Sequence, residues 1–195
     1  RIAVAVDPER GFHEQFDGYF QLKERAIDRS MTKMQYTGPV QHSFRPTQVI
    51  QQADVMMLYH MLPDAFPQAV KRRGFQYYEP RCSHTSTLSR CIYAAVAARA
   101  GLKREALRLF RASLETDTGP TAECESGIHL ACTGGNWQAV LMGFLGLHVA
   151  GGRPCFAPRL PAKWKRVTCR LCWHGKRVDV AVTRKQIQLS VNKGT

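Results

Sequence analysis

The hydrophobic period of this chain changes at Gly151-Gly152, and that change decides what it can fold into. Before the glycine pair, apolar residues recur at spacings of three and four, the mark of amphipathic helices. Beyond it, Pro154, Pro158 and Pro161 punctuate a linker, and the period becomes two. Val167, Cys169, Leu171 and Trp173 alternate with Thr168, Arg170 and Cys172. His174-Gly175-Lys176 reads as a turn, Val178, Val180 and Val182 share a face, and Ile187, Leu189 and Val191 make a third strand. The chain is therefore mainly α, with helices over residues 1–150 and a small β module over residues 151–195. Such a module is too small to bury a core of its own, so it packs on, or completes a sheet with, something else.

Within the helical part, residues 9–30 read as a loop crowded with Phe12, Phe16, Tyr19 and Phe20, leading into helix. Residues 31–46 hold Gly38, Pro39 and Pro46 and read as a connection. Thr47 is placed to cap a helix from about Gln48 to Leu62, carried by Val49, Ile50, Ala53, Met56, Met57 and Met61. A short helix follows Pro63 and Pro67 and runs to about Tyr77. Ser86 or Thr87 caps a third helix from about Leu88 to Ala100, ended by Gly101. A fourth runs from about Lys103 to Asp117. Its Arg104, Arg108 and Arg111 form a solvated face opposite Ala106, Leu107, Phe110 and Leu114. Gly134-Gly135 is expected to interrupt the next segment, before a deeply buried helix from about Asn136 to Val149.

The net charge of +13 raises the question of nucleic acid. The basic residues are spread along the whole chain and no nucleic-acid-binding motif accompanies them, so a solvated surface accounts for them. Seven cysteines, an odd count scattered through helix and strand patterns, suit reduced thiols and a cytoplasmic protein. Cys169 and Cys172, with His174 nearby, invite a zinc reading. In a strand, however, positions three apart point to opposite faces, and a second ligand pair is missing. No apolar stretch is long enough for a transmembrane helix, and no signal peptide is visible. No dinucleotide fingerprint is present, so no cofactor is expected. The chain enters an apolar run directly from Arg1, with no initiating Met, as a cut through a larger protein would.

Five stretches carry a resemblance. Gly11-Phe12-His13-Glu14-Gln15-Phe16-Asp17-Gly18-Tyr19-Phe20 is the first. Val49-Ile50-Gln51-Gln52-Ala53-Asp54-Val55 is the second. Tyr77-Tyr78-Glu79-Pro80-Arg81-Cys82-Ser83-His84-Thr85-Ser86-Thr87-Leu88-Ser89 is the third. Gly127-Ile128-His129-Leu130-Ala131, running into Gly135-Asn136-Trp137, is the fourth. Phe156-Ala157-Pro158-Arg159-Leu160-Pro161-Ala162-Lys163-Trp164 is the fifth. In this order they resemble segments of glycoside hydrolase family 65, the family of maltose, trehalose and kojibiose phosphorylases. The resemblance implies the second half of an (α/α)6 barrel followed by a small C-terminal β-sandwich. It implies an inverting enzyme that splits an α-linked glucose disaccharide with phosphate, giving β-glucose 1-phosphate and a sugar. The family's catalytic acid, a Glu, is expected upstream of this sequence, so the chain alone is expected to be inactive. Its partners would be a disaccharide, inorganic phosphate as co-substrate and the N-terminal part of the same enzyme. Family members are often homodimers.

Inversion needs an acid on one face of the sugar and a nucleophile on the other. A hydrolase uses a carboxylate to activate water for the second role, whereas phosphate is already a nucleophile and needs donors that do not repel it. Arg81 to Arg90 offers Ser83, His84, Thr85, Ser86, Thr87 and Ser89 with no Asp or Glu among them. It precedes a helix, whose free N–H groups favour an anion. A hydroxyl-rich helix cap with a loop histidine is the structural alternative. By resemblance His84, Ser86 and Thr87 match phosphate-contacting residues, and Gln51 and Gln52 match a Lys-Gln pair that contacts sugar hydroxyls. Gln51 stands where the family has Lys, so the charge is gone while hydrogen bonding remains. A hydrolase of the same family would need a base, with Glu79, Glu123 and Glu125 the nearest candidates. Glu14 and Asp17 could line a sugar site. His129 and Trp137 could approach the sugar, but helix packing is their default role. A non-catalytic basic helical interaction module is the reading from a different class.

Overall fold

The structure, a computed structural model, describes residues 5–27, 47–119 and 127–192. After a 3-10 turn at Tyr19–Gln21 come the helices α1 (Asp54–Met61) and α2 (Gln68–Tyr78). A second 3-10 turn, Glu79–Arg81, leads towards α3 (Ser89–Arg99), α4 (Lys103–Leu114) and α5 (Leu130–Gln138). The last passes directly into a π-helical stretch, Ala139–Phe144. Strands β1 (His148–Ala150) and β2 (Arg153–Cys155) form a hairpin whose turn is Gly151-Gly152. Strands β3 (Arg166–Trp173), β4 (Lys176–Thr183) and β5 (Ile187–Asn192) form an antiparallel sheet in that order. Among the described residues no helix is long and apolar enough to cross a membrane.

Helix α3 is the centre of the helical layer. Cys91 to Ala98 are all buried, and α1, α2, α4, α5 and the π-helical stretch pack on it. Its run of alanines leaves no bulk to hold neighbours away, so they approach closely. A Cβ on Gly143 would meet the Ala95 Cα at 2.9 Å, and one on Gly135 would meet the Cys91 Cβ at 3.2 Å and run into its sulfur. These two contacts advance together along α3 and along α5 with its π-helical continuation, so the two run in the same direction, while α4 returns antiparallel to them. A π-helix leaves carbonyls out of line with the usual ladder. Arg99 of α3 collects one of them, donating to the Met142 oxygen at 2.6 Å, and also reaches the Leu147 oxygen beyond the stretch at 2.7 Å.

The β module sits on this layer through Trp164, whose ring lies 4.9 Å from that of Phe144 and 6.0 Å from that of Phe110. Alternation in β3 is as the sequence implies, with Val167, Cys169, Leu171 and Trp173 half-buried and their neighbours exposed. Cys169 and Cys172 therefore fall on opposite faces. His174 and Gly175 close the β3–β4 turn with φ of 47° and 73°, the conformation that two-residue hairpins demand. Ile187, Leu189 and Val191 pair with Val182, Val180 and Val178 and so share their face, yet remain 40 to 58% exposed. The outer third of the sheet's apolar face is thus uncovered among the described residues.

Four expectations need correction. The helix expected from Gln48 begins at Asp54, because residues 47–50 are extended and pair with other segments: Gln48 N–H donates to Lys23 O (3.0 Å) and Ile50 N–H to Arg81 O (2.9 Å). Gly134-Gly135 does not interrupt a helix; it lies inside α5, where Gly135 permits the contact with Cys91. The buried helix ends at Phe144 rather than Val149, and strand begins at His148. Helix α4 ends at Leu114, followed by turns to Thr118.

The Gly135–Cys91 contact gives a sharp test. Gly135→Ala should destabilise the protein by ~1–3 kcal/mol through overpacking. In a Cys91→Ala background, with the sulfur removed, most of that loss should vanish in a denaturant-unfolding cycle. An equal loss in both backgrounds would mean that the helices do not meet there.

Candidate functional site

The site is assembled from segments that follow or precede helices. Glu79–Arg81 turns the chain off α2, and Cys82 then runs parallel to Ile50: Ser83 N–H donates to Ile50 O at 2.9 Å. The buried Cys82 thiol points at the Gln51 carbonyl, 3.8 Å away. Burial pushes this thiol up to about 11, so at neutral pH it is a packing group and not a nucleophile. Gln51 and Gln52 are thereby brought beside the segment that carries His84, Ser86 and Thr87, from which more than thirty residues separate them. They lie in a bend, not on a helix face; Gln51 is half-buried and Gln52 exposed.

His84 is held in the left-handed region, φ 53°, which is unusual for a side chain other than Gly, Asn or Asp. That backbone turns the ring inward, where it is 7% exposed and stands edge-on to Tyr93. The Ser89 hydroxyl donates to Ser86 O at 3.0 Å, so it accepts from His84 Nδ1 at 2.9 Å. Nδ1 therefore carries a proton, and Nε2 faces the Glu79 carboxylate at 3.9 Å. Ser86 and Thr87 are half-buried at the rim. The Ser86 hydroxyl accepts the Leu88 N–H at 3.3 Å, so it braces the entry to α3 two residues ahead of the helical boundary expected for it.

Glu79, considered from sequence as a possible base, is buried and bound to Arg108 Nη2 of α4 at 2.6 Å. Arg108 also holds Glu105 at 2.8 Å, so the arginine expected on a solvated face ties two carboxylates. A carboxylate neutralised in this way is poorly placed to take a proton from water. Glu123 and Glu125 lie outside the described residues. Glu14 accepts the Phe20 N–H at 2.8 Å and closes its own loop, while Asp17 is exposed. Trp137 is half-exposed on α5.

One pair escaped the sequence reading. His129, just ahead of α5, bonds Asp117 through Nδ1 (2.6 Å), and its backbone N–H reaches the other carboxylate oxygen (3.0 Å). The hydrogen bonds from His129 hold the Asp117 carboxyl below its usual range. Because α3 and α5 run together and α4 opposes them, the start of α3, the end of α4 and the start of α5 share one end of the layer. His129–Asp117 therefore lies at the same end as the His84 loop. The only available signal was an Asp after one helix and a His before the next, which periodicity does not register.

This end of the fold gathers hydroxyls, amides and imidazoles, and its described buried or half-buried carboxylates, Glu79 and Asp117, are both engaged. Residues 1–138 match the glycosyl hydrolase family 65 central catalytic domain, and residues 147–195 match the glycosyl hydrolase family 65 C-terminal domain. The chain belongs to glycosyl hydrolase family 65. It is 33% identical over 199 residues to a kojibiose phosphorylase of Caldanaerobacter subterraneus, covering 100% of this chain and 26% of the relative. It is 36% identical over 198 residues to a 1,2-alpha-glucosylglycerol phosphorylase of Bacillus selenitireducens, covering 96% of this chain and 26% of the relative. With the maltose phosphorylase of Bacillus subtilis it shares 32% identity over 74% of this chain and 19% of that protein. A solved structure described as a kojibiose phosphorylase from human microbiome superposes with a TM-score of 0.82 at 24% identity, over 97% of this chain and 28% of the other. That likeness concerns the fold. The chain spans about a quarter of the length of the first two relatives.

The pairing of His129 with Asp117 is checked by titration. In His129→Ala the Asp117 carboxyl, followed by NMR, should titrate at higher pH than in the parent. The folded-state pKa is depressed, so the pair stabilises the fold above the ordinary carboxylate range and that contribution is lost as pH falls through the depressed value. An unchanged Asp117 titration would mean that the pair does not form.

Proposed function

We propose that this chain is the phosphate- and sugar-contacting part of an inverting α-glucoside phosphorylase, working with a general-acid Glu from residues outside this sequence. The reaction is phosphorolysis of an α-linked glucose disaccharide to β-glucose 1-phosphate and a free sugar. The single observation that carries this reading is the segment Cys82–Arg90. It is rich in donors, free of carboxylates, set at the start of α3, and joined by backbone hydrogen bonds to the strand that leads into Gln51 and Gln52. Ser86 and Thr87 at the rim supply hydroxyls to phosphate. The His84 ring behind them fixes their loop through Ser89 and reaches phosphate when that loop opens. Gln51 and Gln52 meet sugar hydroxyls. The names of the relatives, which are phosphorylases of kojibiose, maltose and glucosylglycerol, support the same chemistry.

The hydrolytic reading loses its best candidate base in Glu79, which Arg108 occupies. The helices form the second half of an (α/α)6 barrel in this proposal, and β3–β5 belong to a β-sandwich whose further strands cover Ile187, Leu189 and Val191. Inorganic phosphate is the co-substrate, no cofactor takes part, and the enzyme works in the cytoplasm, as a homodimer in keeping with the family's habit.

The test uses a longer protein that contains this sequence, with α-linked glucose disaccharides in turn. β-Glucose 1-phosphate should form only when phosphate is present. Free glucose released without phosphate would contradict the proposal. His84→Ala should raise the KM for phosphate by on the order of ten-fold, the scale of one charge-assisted hydrogen bond, and leave that for disaccharide nearly unchanged. An unaltered phosphate KM would remove His84 from the site.

A further inference from the structure

A second feature lies at the start of α4. A cleft of about 640 Å³ opens between Lys103, the first residue of α4, the connecting segment 158–162 and the β4–β5 turn. Lys103, Arg159, Arg184 and Lys185 line it, and among the described residues no carboxylate does. None of the four makes an ion pair with a described residue. The nearby carboxylate on α4, Glu105, is engaged by Arg108.

Hydrogen bonds fix the two arginines and the turn that carries Lys185. Arg159 is half-buried; its backbone N–H donates to Phe144 O at 2.7 Å and its guanidinium to Pro158 O at 3.1 Å. Arg184 donates to Pro161 O at 3.3 Å. The Thr183 hydroxyl accepts the N–H groups of Lys185 and Gln186 at 3.2 and 3.1 Å, which fixes the turn that carries Lys185. Four like charges drawn around one cavity repel one another, and each guanidinium keeps N–H groups for a further acceptor. An anion with several oxygens relieves the repulsion and fits the guanidinium fork. Beside the polar Thr183 and Gln186 the wall also has an apolar part, from Pro158, Leu160 and Ala162, that suits the body of a small molecule.

We propose that this cleft is a second anion site that takes a phosphoryl group, with a phosphate monoester such as a sugar phosphate as its ligand. It does not depend on the phosphorolysis proposed above, since the two sites share no residue.

The test is an NMR titration of the 195-residue chain with inorganic phosphate, with β-glucose 1-phosphate and with neutral glucose. Either phosphoryl compound should shift the amides of residues 183–187, and glucose should not. Arg184→Ala/Lys185→Ala should weaken that binding by ten-fold or more, while Ser86→Ala/Thr87→Ala leaves it within two-fold. Tighter binding of the ester than of inorganic phosphate would assign the apolar wall to the sugar, and equal affinity would assign the site to free phosphate; both support a phosphoryl site. No shift at residues 183–187 with either compound, or unchanged affinity in the Arg184→Ala/Lys185→Ala variant, overturns the proposal whatever happens at Ser86 and Thr87.

Discussion

The carboxamide of Gln48 is the interaction on which the site depends. It is buried, and it uses its full hydrogen-bonding capacity. Its N–H groups donate to Phe20 O and Leu22 O at 3.2 and 3.0 Å. Its oxygen accepts from the Tyr77 hydroxyl at 2.7 Å and from Arg81 Nε at 3.0 Å. The Tyr19 hydroxyl donates to the Gln48 carbonyl at 2.6 Å. Three segments that are distant in sequence therefore meet at one residue, and a fully satisfied buried polar group of this kind specifies geometry more than it adds stability. Arg81 is fixed further by stacking over Tyr77, 3.9 Å from the ring centre, and by an ion pair with Glu24. With Gln48 and Arg81 fixed, Ile50 has no choice of partner: it pairs with Arg81 and Ser83, and Gln51 and Gln52 follow.

The helical layer supplies the other half of the geometry. A buried, alanine-rich α3 admits neighbours at close range, so that α4 and α5 bring their ends to the start of α3 with little freedom of register. The strain of a histidine in the left-handed region is of order 1–3 kcal/mol and persists only where the surroundings fix it. Here the surroundings are Ser89, Tyr93 and the Glu79–Arg108 pair. The same features that bury His84 leave Ser86 and Thr87 half-buried at the rim.

What was legible in the sequence was local. Helices α3 and α4 follow from their apolar spacing and from Gly101 between them, and the three long strands follow from alternation and the His174-Gly175 turn. The segment from Thr47 to Ala53 was misread because Val49, Ile50 and Ala53 fit a helical period as well as a strand. The decision is made by backbone partners at Lys23, Arg81 and Ser83, which periodicity does not see. The family resemblance picks out Gln51, Gln52, His84, Ser86 and Thr87, and backbone bonds of Ile50 with Arg81 and Ser83 join the two segments that carry them. It did not reveal that Glu79 is occupied by Arg108, twenty-nine positions away, or that Asp117 holds His129, because both facts are tertiary. Gly134-Gly135 was read as a break when it is a place of contact, since a glycine that allows close packing and one that ends a helix look alike in sequence.

Gln48 holds the strand before Gln51 against the loop that carries His84. Native-state hydrogen exchange of the Ile50 and Ser83 amides measures this directly, because those two N–H groups make the bonds that join the segments. Both should be protected in the parent chain, and Gln48→Ala should release both together while the α3 amides of Val96 and Ala97 stay protected. Rapid exchange of Ile50 and Ser83 in the parent chain, or protection unaffected by Gln48→Ala, would contradict it.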